Sequence, residues 1–128
     1  MKNIVEVVAA VIKKDDLILC TQRPNSKQFS GYWEFPGGKV EKDETKEDAL
    51  IREIKEELNV KIKVNHLISI IDYEYVDFTL KMYVYDCVLL EENIILLEHQ
   101  AMKWLRKENL DTLNWLPSDF ALIEILKK

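Results

Sequence analysis

The sequence has few of the residues that mark non-globular or disulfide-stabilised chains. Its 128 residues include only three glycines, three prolines and two cysteines. No Pro-rich linker, low-complexity tract or repeat interrupts it, and a composition of 48% hydrophobic and 32% charged residues is that of a globular protein. A chain of this length can bury a core without disulfides or a structural metal, so we predict one domain spanning residues 1–128.

The two cysteines, Cys20 and Cys87, lie far apart, each within an apolar run and without metal-ligand spacing. This pattern favours buried free thiols in a reducing compartment over a disulfide. No apolar run approaches the roughly 18 residues of a membrane span. The apolar start of the chain is broken by Glu6 and has no small-residue cleavage site, which favours a buried strand over a signal peptide. The sequence therefore predicts a cytoplasmic protein with no membrane partner.

Positive charge is in short supply, with 18 Lys and Arg against 23 Asp and Glu and a net charge of −5. Without a basic stripe to displace phosphate counterions, a nucleic-acid polymer is not an expected partner. A small phosphorylated ligand stays compatible with this charge, because a bound divalent cation can reverse the local field. The sequence leaves the oligomeric state open, with a monomer favoured.

The order of predicted elements favours an α+β fold. Two apolar, β-branched runs predict a hairpin, and the Pro-, Ser- and Gly-containing stretch 24–38 predicts a loop anchored by aromatics. A helix is predicted from about Lys46 to Leu58, with Thr45 as its N-cap and Asn59 as a left-handed terminator. The remaining predictions are strands at 61–64, 66–75, 78–90 and 101–105, a short helix at 107–112 and a last helix opening at Pro117 and Ser118. This order does not alternate as βαβ units would, so we expect a mixed sheet with helices packed against it.

Three glutamates share one side of the predicted helix, in the stretch "REIKEEL". Glu53, Glu56 and Glu57 stand at i, i+3 and i+4, where like charges repel by a few tenths of a kcal/mol per pair. They border an apolar arc of about 100° formed by Leu50, Ile51, Ile54 and Leu58. One interpretation is a solvated acidic face eased by pairs such as Arg52 with Glu56. The other is a site for Mg²⁺ or Mn²⁺, which take oxygen ligands and often bridge to substrate phosphates.

The residues around the helix favour the metal site. One pattern extends from the glycines into the helix. It consists of Gly38, then Glu44 after five intervening residues, then "REIKEELNV" at 52–60 after seven more, and Gly37 precedes it. It resembles the Nudix box, the signature of hydrolases that cleave nucleoside diphosphates linked to another group. The one departure is Asn59, where the family has glycine, and Asn tolerates the left-handed conformation. "EVVAAVI", "LILCTQRP", "GYWEFPGGKVE", "EHQAMKWL" and "LPSDFALIEIL" also look like the MutT branch, which includes 8-oxo-dGTP diphosphatases and CTP pyrophosphohydrolases.

The resemblance implies a Nudix fold, a mixed sheet sandwiched between helices, and a set of metal ligands. In that family the helix glutamates bind Mg²⁺, with Mn²⁺ as a substitute, which here means Glu53, Glu56 and Glu57. The Gly37 carbonyl would complete the metal shell. Glu98 matches a further glutamate that reaches the metal from a loop; its alternative is a surface acid.

Arg52 and Glu44 would pair and orient the glutamates. The implied reaction is displacement at phosphorus by a metal-activated water, with a carboxylate taking the proton. Glu53 is favoured as that base, with Glu98 or Glu56 as alternatives. In MutT-like enzymes attack at the β-phosphorus gives a nucleoside monophosphate and pyrophosphate. Lys39 either steadies phosphate or water or is an exposed lysine.

The same resemblance implies residues that contact the nucleoside. Arg23 matches a nucleotide-contacting arginine, and Glu34, Phe35 and Pro36 match the loop that passes under the nucleoside, with a buried anchor as the alternative for Phe35. Asp119 falls where MutT carries a base-reading asparagine, and otherwise reads as a helix-start acid. An ionised Asp only accepts hydrogen bonds, which suits the adjacent N1–H and N2–H₂ of guanine. Cytosine would need a protonated Asp or a bridging water.

Tyr73, Tyr75 and Phe78 are candidates either for base stacking or for the core, and His66 and His99 receive no role because neither has a second ligand at useful spacing.

The sequence thus predicts a Mg²⁺-dependent nucleoside triphosphate pyrophosphohydrolase that sanitises the nucleotide pool, a role in preventing mutation, with 8-oxo-dGTP preferred. CTP, dCTP or 5-methyl-dCTP is the runner-up, and ADP-ribose is a more distant option. The alternative from another class is a non-catalytic, nucleotide-sensing module. Retention of Arg52 and the helix glutamates disfavours that module, because pure binding does not need them.

Overall fold

A computed structural model describes residues 2–25 and 28–128, which form a seven-stranded mixed sheet flanked by helices. Met1 lies outside the described residues, as do Ser26 and Lys27 of the predicted loop 24–38. The strands are β1 (Asn3–Lys14), β2 (Leu17–Gln22), β3 (Trp33–Glu34), β4 (Gly37–Lys39), β5 (Ile62–Glu74), β6 (Phe78–Leu89) and β7 (Ala101–Arg106). The helices are α1 (Lys46–Leu58), a 3₁₀ helix (Lys107–Thr112) and α2 (Pro117–Leu126). The predicted α+β fold is confirmed.

Strand β1 lies at the centre of the sheet and has three partners. It runs parallel to β6 along its length, and its far end turns into β2 through the predicted hairpin, pairing Lys13 with Ile18. Its middle pairs antiparallel with β4, Val8 opposite Gly38. Between these two contacts the Ala10 N–H donates to the Pro36 carbonyl at 2.9 Å. The segment from β3 to β4 is therefore fixed against the middle of β1.

The core has two layers, one on each face of the sheet. Since alternate residues of a strand point to opposite faces, Ala9 and Val11 of β1 face one layer while Ala10 and Ile12 face the other. The first layer packs under α2 and the 3₁₀ helix and contains Trp33, Phe35, Leu110, Trp115, Leu122 and Ile123. The second packs under α1 and contains Leu19, Ala49, Leu50, Ile54, Leu58 and Val60. The predicted arrangement of a sheet between helices is confirmed.

Both predicted ends of α1 are confirmed. The Thr45 hydroxyl accepts a hydrogen bond from the Asp48 N–H at 3.0 Å, which satisfies one of the free donors of the first turn. Asn59 ends the helix in the left-handed conformation, with φ of 57°, and its N–H donates to the Lys55 carbonyl. Asparagine therefore fills the position that the family pattern gives to glycine.

The predicted buried face of α1 is wrong at one edge. Ile51 is 39% exposed, whereas Ala49 and Glu57 are buried. The face is rotated towards Ala49 because α1 packs on β4 as well as on β1 and β5. Glu57 therefore lies inside the buried face of the helix and not beside that face.

Two strand predictions need correction. The predicted loop 24–38 contains β3 and part of β4, which are too short to show a strand pattern in the sequence. The predicted strands 61–64 and 66–75 form the single strand β5, whose register on β6 shifts between Val64 and His66 and between Leu67 and Ser69. Such bulges break the two-residue alternation from which a continuous strand is recognised.

Cys20 and Cys87 are free and buried, as predicted, and burial raises the pKa of each thiol to about 12. Within residues 2–25 and 28–128, no helix combines the length and the apolar character needed to cross a membrane.

Candidate active site

A cleft of about 840 Å³ opens where β1, β4 and α1 meet the loops around residues 23–35, 75–78 and 98–99 and the start of α2. It brings together candidates that are up to 96 residues apart, from Arg23 to Asp119. The predicted site residues that line it are Arg23, Glu34, Phe35, Gly37, Lys39, Glu53, Glu57, Glu98 and Asp119. Pro36, Glu44, Arg52 and Glu56 lie behind or beside its wall. The cleft has an end formed by the α1 glutamates and an end formed by Phe35 and Asp119.

Arg52 organises the glutamate end. Its guanidinium binds Glu44 through two hydrogen bonds, Nε to Oε2 at 2.6 Å and Nη2 to Oε1 at 3.0 Å, and this lowers the pKa of Glu44. Its Nη1 donates to Glu53 at 2.9 Å and to Glu56 at 3.3 Å, and its Nη2 also donates to the Lys39 carbonyl. The predicted pair of Arg52 with Glu44 is present. Arg52 also eases the repulsion between Glu53 and Glu56.

Glu57 has no comparable ion pair with Lys or Arg among residues 2–25 and 28–128. Its side chain is 10% exposed, and its Oε1 accepts a 3.3 Å hydrogen bond from the Gly37 N–H. Burial raises the pKa of Glu57, and the charges of Glu34, Glu53 and Glu98 raise it further, to about 9. Burial likewise raises the pKa of Glu53, although Arg52 opposes the shift. This end of the cleft therefore has more carboxylates than positive charge to match them.

The donor set at this end fits a divalent cation. Glu53, Glu56, Glu57 and Glu98 offer the carboxylate oxygens that hard cations take, and a cation would relieve the repulsion that holds Glu57 protonated. No group of three or more His, Cys, Asp or Glu side chains in the described part of the chain is already arranged around one metal position. Glu53 and Glu56 are turned towards Arg52, and Glu57 towards the Gly37 N–H.

The two glycines of β4 are required for two different contacts. A Cβ on Gly37 would overlap the carbonyl oxygen of Val8 in β1, so the close approach of β4 to β1 depends on glycine. A Cβ on Gly38 would overlap the carboxylate of Glu53. The space that Gly38 leaves open is therefore the space in which Glu53 reaches the cleft.

Glu34 borders the opposite end of the cleft, on the side that faces the glutamate end. Its Oε1 accepts from Arg23 Nη1 at 2.9 Å, and its Oε2 lies 2.9 Å from His99 Nε2. Burial alone would raise the pKa of Glu34, but the hydrogen bonds and charges of His99 and Arg23 outweigh burial and lower it. Arg23 is held in turn by its Nε donating to the Gln28 carbonyl at 2.9 Å. Glu34 is therefore an ionised carboxylate with both oxygens engaged.

Phe35 and Asp119 form the floor of that end. The Phe35 ring stacks on Trp115 with centroids 4.6 Å apart and is 4% exposed, so it anchors the loop while its edge lines the cleft. The Phe35 N–H donates to Asp119 Oδ2 at 3.3 Å. Burial and the charge of Glu34 raise the pKa of Asp119 to about 8. Asp119 is therefore mostly a neutral carboxyl group at pH 7, not the ionised group assumed from the sequence.

Three aromatic candidates lie at the turn between β5 and β6, Tyr73 in β5, Tyr75 in the turn and Phe78 at the start of β6. Tyr75 and Phe78 stack with centroids 5.0 Å apart and line the cleft. Tyr73 packs on Tyr75 at 4.8 Å, behind the cleft wall. Lys39 is exposed on the rim, and His66 is exposed outside the cleft.

Sequence reasoning missed His99. Its ring is almost fully buried, bonded to Glu34 and 4.0 Å from Glu57, between the two ends of the cleft. Glu34 is 65 residues away in the chain, so no local spacing could show the pair. The available signal was its position directly after Glu98 within the "EHQ" stretch.

The NUDIX domain model matches residues 7–124 of the chain. A CTP pyrophosphohydrolase of Escherichia coli is 35% identical over 122 residues, covering 95% of this chain and 90% of that protein. An 8-oxo-dGTP diphosphatase of Haemophilus influenzae is 33% identical, covering 98% of this chain and 93% of that protein. The solution structure of a MutT Nudix hydrolase from methicillin-resistant Staphylococcus aureus is 41% identical with a TM-score of 0.79, covering 99% and 98% of the two chains.

The chain belongs to the Nudix hydrolase family. Nudix hydrolases generally use divalent metal ions, which agrees with the excess of carboxylates around Glu57.

The two β4 glycines give a matched test of the site. Gly38→Ala should leave the fold intact, because the Glu53 side chain can swing away, yet lower hydrolytic turnover by roughly 10–100-fold through loss of that carboxylate position. Gly37→Ala should instead destabilise the protein by about 1–3 kcal/mol, because backbone must move. Thermal melting and turnover of both variants check this. Equal loss of stability, with activity kept in Gly38→Ala, would contradict it.

In the metal-free protein, Glu57 should lower the free energy of unfolding as pH rises. Between its ordinary pKa of 4.5 and its folded pKa of about 9, the unfolded chain releases a proton that the folded protein retains, so the free energy of unfolding falls across this window. Glu57→Gln removes this loss. We expect the Tm of this variant in chelator to exceed that of the wild type by an amount that grows from pH 4.5 to 9. At pH 8 its free energy of unfolding should be at least about 1 kcal/mol higher than that of the wild type.

The matched control is Glu56→Gln, since Glu56 is exposed and should show no such pH-dependent gain. Parallel melting profiles for wild type and Glu57→Gln would contradict the placement of Glu57 as a buried, repelled carboxyl group.

Proposed function

We propose that residues 1–128 act as a single cytoplasmic domain and a Mg²⁺-dependent nucleoside triphosphate pyrophosphohydrolase. It would release a nucleoside monophosphate and pyrophosphate, with 8-oxo-dGTP as the preferred substrate, and so sanitise the nucleotide pool. The observation that carries this proposal is one cleft with uncompensated carboxylates at one end and a buried, neutral Asp119 at the other. The relatives named as 8-oxo-dGTP diphosphatase and CTP pyrophosphohydrolase support a small nucleotide as substrate.

Glu53, Glu56, Glu57 and Glu98, with the Gly37 carbonyl, would hold Mg²⁺ or, as a substitute, Mn²⁺. The bound ion would lower the pKa of a water and neutralise charge on the phosphate oxygens. Arg52 keeps Glu53 and Glu56 near one another before any ion arrives, with Glu44 fixing the guanidinium from behind. Because both carboxylates are turned towards Arg52, they would have to reorient to bind the ion.

Glu53 is the carboxylate that we assign as general base, taking the proton of the attacking water. It is half-buried, it lies in the space left open by Gly38, and burial raises its pKa towards the neutral range where a base works best. Attack at the β-phosphorus would direct the monophosphate towards Phe35 and Asp119. Lys39, exposed on the rim, is available to a phosphate oxygen.

Asp119 would read the base as a neutral carboxyl group, with one donor and one acceptor. Oxidation of guanine at C8 converts N7 from an acceptor into an N–H donor beside the O6 acceptor. A neutral carboxyl group matches that acceptor–donor pair, whereas guanine itself presents two acceptors on the same edge. On that edge the proton on Asp119 would favour the oxidised base, whereas the O6 and N1–H of either base would match it equally. This edge-specific match replaces the argument from an ionised carboxylate.

A second candidate is a pyrophosphohydrolase of CTP, dCTP or 5-methyl-dCTP. Cytosine presents an acceptor at N3 beside a donor at N4, which a neutral carboxyl group also matches. The burial that keeps Asp119 neutral therefore favours cytosine as well as 8-oxoguanine. Substrate selectivity must distinguish them.

The first experiment is turnover of 8-oxo-dGTP, dGTP, CTP, 5-methyl-dCTP and ADP-ribose with Mg²⁺, with products identified. We expect the highest kcat/KM for 8-oxo-dGTP, release of pyrophosphate, and loss of activity in Glu53→Gln. Highest efficiency on cytidine nucleotides would shift the assignment to the second candidate. Nucleotide binding without turnover by the wild type would instead indicate a sensor and refute the enzyme.

The kcat/KM for 8-oxo-dGTP should fall as pH rises through about 8, because Asp119 then loses the proton that it would donate to O6. Burial and the charge of Glu34 hold that proton, and Arg23 and the Phe35 N–H oppose them. Asp119→Asn carries a fixed donor and acceptor, so its kcat/KM should not fall in that range beyond the change due to substrate ionisation. Comparing the ratio of the kcat/KM values of the two proteins from pH 6.5 to 9 tests this. Identical pH profiles for the two proteins would refute the role of the Asp119 proton.

A further inference from the structure

We propose that His99 is a positioning residue that fixes the Glu34 carboxylate between the two ends of the cleft. The inference rests on the proposed function for its kinetic consequence, but its geometry stands independently. The imidazole Nε2 lies 2.9 Å from Glu34 Oε2, and the His99 side chain is 3% exposed.

The Glu34 side sets the direction of this hydrogen bond. Glu34 is held ionised by its neighbours, and a carboxylate only accepts. Nε2 therefore carries the proton and donates. In the neutral ring this leaves Nδ1 as a bare acceptor, and Nδ1 is buried without a hydrogen-bond partner among residues 2–25 and 28–128.

An unpaired buried nitrogen costs free energy that an apolar side chain of similar size would avoid. The space occupied by His99 therefore does not by itself explain a histidine there. The bond from Nε2 to Glu34 does explain it, because it gives the ring a hydrogen-bond partner and that partner is a residue on the cleft wall.

Glu34 needs such a bond because it repels the carboxyl groups on both sides. Its charge raises the pKa of Glu57 at one end and of Asp119 at the other. Arg23 takes one oxygen of Glu34 and His99 takes the other, so the carboxylate cannot rotate without losing a bond. Without His99, Arg23 alone would hold Glu34, and the carboxylate would be free to turn away from Glu57.

The backbone around His99 is fixed from both sides. The Leu97 N–H donates to the Glu57 carbonyl at 2.9 Å, which ties the loop to the end of α1. The Gln100 N–H donates to the Gln22 carbonyl at 3.0 Å, and the Gln100 amide donates to the Arg23 carbonyl at 2.6 Å. The segment that carries His99 is therefore held in place by contacts to two elements, α1 and the end of β2.

Two polar substitutions test the bond at matched risk to folding. In His99→Gln the amide N–H₂ reaches close to the position of Nε2 and can still donate to Glu34, whereas the shorter Asn in His99→Asn cannot. We expect His99→Asn to lower kcat/KM by roughly 10–100-fold and His99→Gln to recover most of that loss. Equal losses in both variants would overturn the proposal.

A double-mutant cycle with Glu34→Ala separates positioning from packing. If His99 acts through Glu34, His99→Asn should cost less than about threefold in the Glu34→Ala background, because the bond is already gone. The same cost in both backgrounds would show that His99 acts by packing or by another contact, and would overturn the proposal. Thermal melting of each variant confirms that folded proteins are compared.

Nitrogen-detected NMR of the His99 ring gives a readout that does not need turnover. The proposal expects the Nε2-protonated tautomer in the wild type and a changed ring signal in Glu34→Ala. A ring protonated at Nδ1 and not at Nε2 would overturn it, because Nε2 could then not donate to Glu34. If the wild type hydrolyses no nucleotide, the proposed function fails, while this tautomer still decides whether His99 holds Glu34.

Discussion

The close approach of β4 to both β1 and α1 is the constraint on which the site depends. Gly37 lets the backbone of β4 pass against Val8, and Gly38 leaves room for Glu53. This approach also rotates the buried face of α1 towards Ala49 and brings Glu57 inside it. Side chains larger than hydrogen at these positions would hold the helix or its glutamates away from the cleft. These two glycines therefore allow an amphipathic helix to present glutamate side chains to the cleft.

Bringing acids inside creates a charge imbalance that the protein only partly corrects. Arg52 binds Glu44, Glu53 and Glu56 and lies 3.8 Å from Glu41, whereas Glu57 receives one backbone N–H. A protein selected for stability alone would place an apolar residue at position 57. Under the proposed function, the buried glutamate would serve cation binding at the expense of stability.

What could be predicted from the sequence was set by local rules. The ends of α1 followed from Thr45 and Asn59, whose side chain and backbone act within one turn, and the pair of Arg52 with Glu44 came with the family pattern. What could not be predicted depends on distant partners. The exposure of Ile51 is decided by β4, a three-residue strand without a recognisable period.

The assignment of charge in the cleft depended on such partners too. The sequence leaves Asp119 either ionised, which suits guanine, or protonated, which suits cytosine, and only the fold shows it buried beside Glu34 with a raised pKa. His99 had no partner within reach in the sequence, since its bond to Glu34 exists only after β3 and the 98–100 loop are brought together. The sequence indicates which residues can take part in binding or catalysis, but it does not indicate their protonation states.

Donors, more than burial, decide which carboxyl group in the cleft carries charge. Glu34, Glu57 and Asp119 are all largely shielded from solvent. Arg23 and His99 both point at Glu34, whereas Glu57 and Asp119 each receive a single backbone N–H. Glu34 therefore takes the charge, and its field pushes the other two towards their neutral forms. Because one carboxylate acts on both ends, the two hydrogen bonds that Arg23 and His99 make to Glu34 influence the charge of the whole cleft.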